Sequence, residues 1–352
     1  MKTMRAAVLH DLHDLRIENV PLPEIGTDDL LIKVSYNGLC GTDASEYAKG
    51  QIMVPLKNPH PNSKHVGPTI LGHEFIGIVV DAGINAQDFM GKRVACGAGV
   101  ACGKCSRCLE GRTNLCDHYF TLGLSIHGGM AEYAAAPKSS CVEIPDGISD
   151  LNAALAQPLA VGIHGVRRSH VKAGDHVILL GVGAIGSFVC VALQTYGVQI
   201  TAVDIDENRL ATAIQLGADK SVLIGKEITP AEIRTLIGGQ ADVVFETSGA
   251  PGAIARALAL TKMGGTLMLM GLNKIPQELV FADAVLREVT LQTTVAHVCS
   301  DDIPDALEIL RSGTVASLLT ERVVSLEDAP AAFEDLSSGK ATGKILVAPS
   351  HG

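Results

Sequence analysis

The chain has 352 residues, 47% of them hydrophobic, and a formal net charge of −10. That is enough for two domains with real cores. The 28 Lys and Arg residues are scattered and form no basic run, which excludes nucleic acid and an anionic membrane surface as expected partners.

At the N-terminus, Ala6–Leu9 is too short for a signal-peptide core, so a cytoplasmic location with reduced thiols is expected. The first 150 residues read as short β segments: Arg5–Leu9, Leu30–Ser35, Phe75–Val80 and Ala131–Ala135. Residues 51–70 carry Pro55, Pro59, Pro61 and Pro68 and read as a surface loop. Cys102, Cys105, Cys108 and Cys116 follow: two successive C-x-x-C steps and a fourth thiol nearby. Four thiolates can close a tetrahedron around Zn²⁺ and leave no open position, so this zinc is structural.

The pattern changes near residue 172. Six apolar runs of strand length follow: His176–Leu180, Ile200–Asp204, Ser221–Ile224, Val243–Thr247, Thr266–Met270 and Val289–Thr294. Helical stretches separate them at Ala184–Tyr196, Glu207–Leu216, Ala231–Ile237, Gly252–Thr261 and Glu278–Arg287. This alternation predicts an α/β, doubly wound parallel sheet. Val177–Leu193, the longest apolar stretch, is interrupted by glycines and reads as strand, turn and helix, which excludes a membrane span there. Pro304–Ser312 reads as a helix and Lys344–Val347 as a closing strand.

The turn Gly181-Val-Gly183-Ala184-Ile185-Gly186 lies between strand and helix, the context in which G-x-G-x-x-G cradles a dinucleotide pyrophosphate. Asp204, about 20 residues on, is placed to accept from the ribose hydroxyls or to cap the next helix. With Asp206 and Glu207 it would repel a 2′-phosphate, which favours NAD over NADP. Arg209 either reaches the same ribose or the adenine edge, or is a solvated helix cation. Cys40-Gly-Thr42-Asp43 and Gly72-His73-Glu74 hold thiolate, imidazole and carboxylate, all zinc ligands.

Taken together, these motifs resemble the zinc-dependent medium-chain alcohol dehydrogenase family. Gly128-Gly-Met-Ala-Glu-Tyr133, Gln157-Pro-Leu-Ala160 with His164, and Gly343-Lys-Ile-Leu346 extend the likeness along nearly the whole chain. The resemblance implies a GroES-like β-barrel catalytic domain (1–157 and 296–352, with the zinc lobe near 96–118). It implies a Rossmann cofactor domain at 158–295. It implies two zinc ions per subunit, NAD, a small-molecule alcohol or ketone substrate, and a homodimer or homotetramer. The catalytic zinc would be held by Cys40 and His73, with Glu74 a direct or exchangeable ligand and Asp43 orienting His73. Ile185 would pack behind the nicotinamide.

Three positions depart from the family. Gln157 stands where relatives often carry Glu or Cys, and its amide could ligate zinc or hold its water. Ser45 stands where relatives use a His to pass the proton outward, leaving Thr42 to receive it and Ser45 with water to relay it. Thr294-Val-Ala-His297 resembles the pocket segment of (R,R)-butanediol dehydrogenases, and the 51–70 loop resembles their Pro- and His-containing insert. Sorbitol dehydrogenases usually place Arg-Tyr at Ala296 and His297. His297 is expected to receive a second substrate hydroxyl, or to be a core histidine, with Tyr47 and Phe120 as apolar walls of the pocket. The implied reaction is oxidation of a small vicinal diol of the 2,3-butanediol/acetoin type. A polyol such as threitol, erythritol or sorbitol is the alternative substrate. A catalytically weak zinc protein that binds NAD(H) as a scaffold is the alternative class.

Overall fold

The computed structural model describes residues 2–50, 52–225, 227–272 and 275–350. They fall into two compact units, Met1–Ala160 with His297–Gly352, and Val161–Ala296.

The first unit begins with β1 (Thr3–Asp11) and β2 (Asp14–Pro21), an antiparallel hairpin. Next come β3 (Asp29–Gly38) and helix α1 (Gly41–Lys49). The proline-rich stretch ends in a short strand, β4 (Thr69–Ile70), which pairs with the far side of β1. The loop expected at 51–70 is therefore shorter by two residues, and Gln51 lies outside the described residues. Further strands are β5 (Phe75–Ala82), β6 (Arg93–Cys96), β7 (Gly99–Val100), β8 (Phe120–Thr121), β9 (Tyr133–Pro137) and β10 (Cys141–Glu143). Short helices α2 (Ser106–Leu109) and α3 (Asp150–Ala153) precede α4 (Ala156–Ser169), which carries the chain into the second unit.

The second unit is a six-stranded, all-parallel sheet. Its strands are β11 (His176–Leu180), β12 (Gln199–Asp204), β13 (Lys220–Leu223), β14 (Ala241–Glu246), β15 (Thr261–Leu269) and β16 (Thr290–Thr293). The order is β13-β12-β11-β14-β15-β16. The order reverses at β11, so a ligand site is expected beyond the carboxyl ends of β11 and β14. Val177, Ile178 and Leu179 are fully buried, as the central strand of a sheet covered on both faces must be. The crossover helices are α5 (Ala184–Leu193), α6 (Glu207–Gln215), α7 (Pro230–Ile237), α8 (Ala253–Leu260) and α9 (Phe281–Leu286). α5 stops three residues before Tyr196, and α9 is four residues shorter than the expected 278–287.

The tail returns to the first unit through α10 (Cys299–Leu310), α11 (Thr314–Leu319), β17 (Thr320–Ser325), α12 (Ala329–Ser337) and β18 (Lys344–Ala348). α10 starts five residues earlier than expected, because Asp302 accepts from Val298 N at 2.7 Å and organises its first turn. β18 pairs with β3 and completes the large sheet β10-β6-β5-β3-β18-β17, with β9 also on β3. Among the described residues no helix is long and apolar enough to cross a membrane.

Candidate metal centres and dinucleotide site

Cys40 is the N-cap residue of α1, in an extended conformation. Asp43, three residues on, closes a capping box by accepting from Cys40 N at 3.1 Å. The other Asp43 oxygen lies 3.1 Å from His73 Nδ1, and Asp43 is wholly buried. A carboxylate there holds the proton on Nδ1 and leaves Nε2 free as a ligand. Gly72 precedes His73 with φ +95°, and a Cβ there would collide with Oδ1 of the buried Asn37. Glycine is thus required twice over at this position.

Sγ of Cys40, a ring nitrogen of His73 and an oxygen of Glu74 all lie within 4.8 Å of one another. Burial alone would lower the His73 pKa, but Asp43 and then Cys40 hold it well above the ordinary value. A thiol, an imidazole and a carboxylate converge on one point, a donor set that suits a divalent cation. Glu74 also has a partner that sequence reading missed. Lys344 Nζ lies 2.9 and 2.7 Å from its two oxygens and donates to Leu39 O at 3.0 Å. Lys344 was visible only as part of the Gly343-Lys-Ile-Leu346 ending.

The four lobe thiols also fall within 4.8 Å of one another. Cys105 and Cys108 sulfurs are 3.6 Å apart, close to the edge of about 3.8 Å that a tetrahedron with 2.3 Å Zn–S bonds requires. Backbone N–H groups of Cys102 and His118 donate to Cys116 Sγ at 3.2 and 3.3 Å. The N–H of Asp117, then that of Cys108, draw the Cys105 thiol down to about 6. Burial, then the neighbouring Cys105, push Cys108 up to about 12. The four cannot all ionise together without a cation, and the donor set suits zinc.

In the second unit the three glycines of the turn do different work. Gly181 has φ +94°, and a Cβ there would sit 2.8 Å from Ser248 Cβ. Gly186 packs so closely that a Cβ would collide with the Gly181 carbonyl oxygen. Gly183, the N-cap residue of α5, has open space where its Cβ would point. That bare backbone, with Ala184 and Ile185 opening the helix, is where a pyrophosphate can approach. Asp204 is buried, with both oxygens already engaged. One accepts from Val182 N at 2.7 Å and the other from Ile205 N and Asp206 N at 2.7 and 3.1 Å. Asp206, not Asp204, caps α6, accepting from Asn208 N and Arg209 N. Arg209 Nη1 stands 3.9 Å from Asp204.

The remaining expected residues are placed as follows. Thr42 and Ser45 are half-buried, one turn apart on α1. Gln157 is half-buried in the first turn of α4. Phe120 is half-buried, pairs with Val100 and packs on the sheet core. Tyr47 is a buried residue, its ring 5.5 Å from Phe333 and its hydroxyl donating to Glu334 at 2.5 Å. Two residues past Ser45, it faces the other side of α1. His297 takes the second of its two expected readings, that of a core histidine. It is buried, with Nε2 3.1 Å from Gly97 O.

Comparison with known proteins agrees with this geometry. Residues 26–146 match the alcohol dehydrogenase GroES-like domain, and 184–312 match the zinc-binding dehydrogenase family. The chain is 34% identical to sorbitol dehydrogenase of Bacillus subtilis, over 99% of this chain and 98% of that protein. The crystal structure of 2R,3R-butanediol dehydrogenase from Bacillus subtilis superposes with a TM-score of 0.90 at 32% identity, covering 99% of this chain and 100% of that one. A Sinorhizobium meliloti structure with NADP bound gives 0.85 at 30% identity, over 99% and 100% of the two chains. The chain belongs to the zinc-type alcohol dehydrogenase family, with a GroES-like domain and a Rossmann domain, and is an oxidoreductase.

Proposed function

We propose that this chain is a zinc- and NAD-dependent dehydrogenase that interconverts a secondary alcohol of a small vicinal diol and its ketone, of the 2,3-butanediol/acetoin type. The observation that carries the reading is the convergence of Cys40, His73 and Glu74 within 4.8 Å. Three protein donors leave one position open for a substrate oxygen. These residues would hold a zinc ion that would supply a Lewis acid, and the glycine turn would hold an NAD that would supply the hydride chemistry. Asp43 keeps His73 in the ligating tautomer, and Lys344 shares Glu74 with the metal position. Gln157 adds a neutral oxygen donor at that position or holds its water. The Thr42 hydroxyl receives the substrate proton, and Ser45, one turn on, passes it outward with water. Gly181, Gly183, Ala184, Ile185 and Gly186 cradle the dinucleotide. Asp204 and Arg209 meet its ribose, and the acidic pair Asp204 and Asp206 favours NAD. Cys102, Cys105, Cys108 and Cys116 hold the structural zinc. Phe120 contributes an apolar edge to the substrate pocket, and the functional particle is a homo-oligomer.

A polyol is the second reading, favoured by the likeness to a sorbitol dehydrogenase. A substrate panel separates the two. Zinc-loaded protein is assayed with 2,3-butanediol stereoisomers, threitol, erythritol, sorbitol and simple alcohols, each with NAD and NADP. The highest kcat/KM is expected for a butanediol with NAD. Preference for the four- to six-carbon polyols would establish the second reading. Zinc-replete protein silent on every alcohol and ketone would overturn both.

A further inference from the structure

Glu246, the last residue of β14, is wholly buried, and the roles assigned above leave it unused. Its oxygens are treated unequally. Oε1 accepts from Ser248 N at 2.8 Å, from the Ser248 hydroxyl at 2.5 Å and from Gly249 N at 2.9 Å. Oε2 is buried and has no hydrogen-bond partner among the described residues. It is covered by Gly271, where a Cβ would sit 2.6 Å from it. An unpartnered buried oxygen is costly, so what the other oxygen holds must offset it.

The location explains the cost. Glu246 pairs in register with Leu180, the residue before the glycine turn. The segment it organises lies against that turn: Ser248 Cβ, Cα and N stand 2.8, 3.1 and 3.1 Å from where a Gly181 Cβ would be. Thr247 adds a hydroxyl that donates to Gly181 O at 2.5 Å. The Glu246 carbonyl accepts from Met270 N and Gly271 N at 2.8 and 2.9 Å, tying in the loop after β15. On the opposite flank, at the end of β12, Asp204 holds Val182 N. The turn is therefore clamped between two buried carboxylates, one on each strand beside β11. Asp204 acts directly, and Glu246 acts through Ser248.

We propose that Glu246 is a positioning residue for the pyrophosphate-binding turn, holding Ser248 against Gly181 so that the Gly183 backbone is preformed for the ligand. The inference rests on the dinucleotide reading above. It predicts a ligand-dependent defect. A ligand with a pyrophosphate uses the preformed turn, whereas AMP, bound by its adenosine end, depends on it far less.

Affinities of NADH, ADP-ribose and AMP are measured by calorimetry or competition for wild type, Glu246→Ala and Glu246→Gln, with melting temperatures alongside. Glu246→Ala is expected to weaken NADH and ADP-ribose about tenfold and to leave AMP within about twofold. Glu246→Gln keeps an acceptor at Oε1 and should restore most of the loss. Equal weakening of all three ligands, unchanged ADP-ribose affinity, or no recovery in Glu246→Gln would overturn the proposal. If Glu246→Ala does not fold, Ser248→Gly carries the same comparison, since it removes the side chain that Glu246 holds against Gly181. Wild type that binds neither NADH nor ADP-ribose would instead overturn the dinucleotide reading itself.

Discussion

Lys344 Nζ stands 2.9 and 2.7 Å from the two oxygens of Glu74, and both side chains are buried. Burial alone would lower the lysine pKa, but the charges of Glu74 and then Cys40 raise it. Removing one partner of such a pair leaves the other charge uncompensated, at a cost of about 3–5 kcal/mol. Lys344→Met is expected to lose stability on that scale in denaturant titration of the zinc-loaded protein. Lys344→Arg should lose less, because a cation remains. A loss in Lys344→Met below about 1 kcal/mol would place the pair among ordinary surface bridges and refute its buried role.

The glycine turn supports a contrast between two alanine substitutions. Gly183→Ala meets no protein atom within 4 Å, so the fold should keep its melting temperature. The added methyl enters the space through which a pyrophosphate approaches, so NADH affinity should fall at least about tenfold. Gly186→Ala drives a methyl into the Gly181 carbonyl and should lower the melting temperature itself. Equal effects of the two substitutions on stability would contradict this division of labour.

Much of this was legible because it is local. Strand, glycine turn and helix are consecutive, and the lobe thiols fall within fifteen residues. What was not legible concerns long-range partners. Glu74 and Lys344 are 270 residues apart, and only the pairing of β18 with β3 brings them together. The partners of Tyr47, Phe333 and Glu334, lie 286 and 287 residues away. For His297, the buried Gly97 carbonyl that takes its hydrogen bond lies 200 residues away. Asp204 and Asp206 were hard to separate because either acid, two residues apart, suits a helix cap.

Thr42→Val tests the proton route. The substitution preserves shape and removes the hydroxyl at a half-buried position two residues from Cys40. Turnover is expected to fall by about a hundredfold while two zinc ions per chain are retained. Unchanged turnover with full zinc would remove Thr42 from the mechanism.

Tyr47 gives a pH dependence with a definite sign. Burial, then the hydrogen bond to Glu334, raise its phenol from 10.0 to about 12. The folded state therefore holds this proton more tightly than the unfolded chain does. The contribution is complete below pH 10 and is lost as pH rises toward about 12. Tyr47→Phe cannot titrate, so its stability should fall less steeply over that window. Identical alkaline slopes in chemical unfolding would show that Tyr47 does not report the Glu334 contact.

The homo-oligomer reading has a surface to test. Around α9 the second unit exposes Val280, Phe281, Val285 and Leu286 by 75%, 60%, 73% and 78%. Met263, Leu272, Ile275, Leu291 and Val295 are exposed nearby in the chain. Large apolar side chains this exposed on one short helix are typical of a surface that another chain covers. β16 beside them is an edge strand with unpaired backbone groups on its outer side. A second copy of the chain would cover both features. Phe281→Glu with Leu286→Glu places two buried charges in that contact, and sedimentation should show monomers that still bind NADH. A wild-type monomer would refute the oligomer, and an unchanged oligomer in the double variant would move its interface to another face.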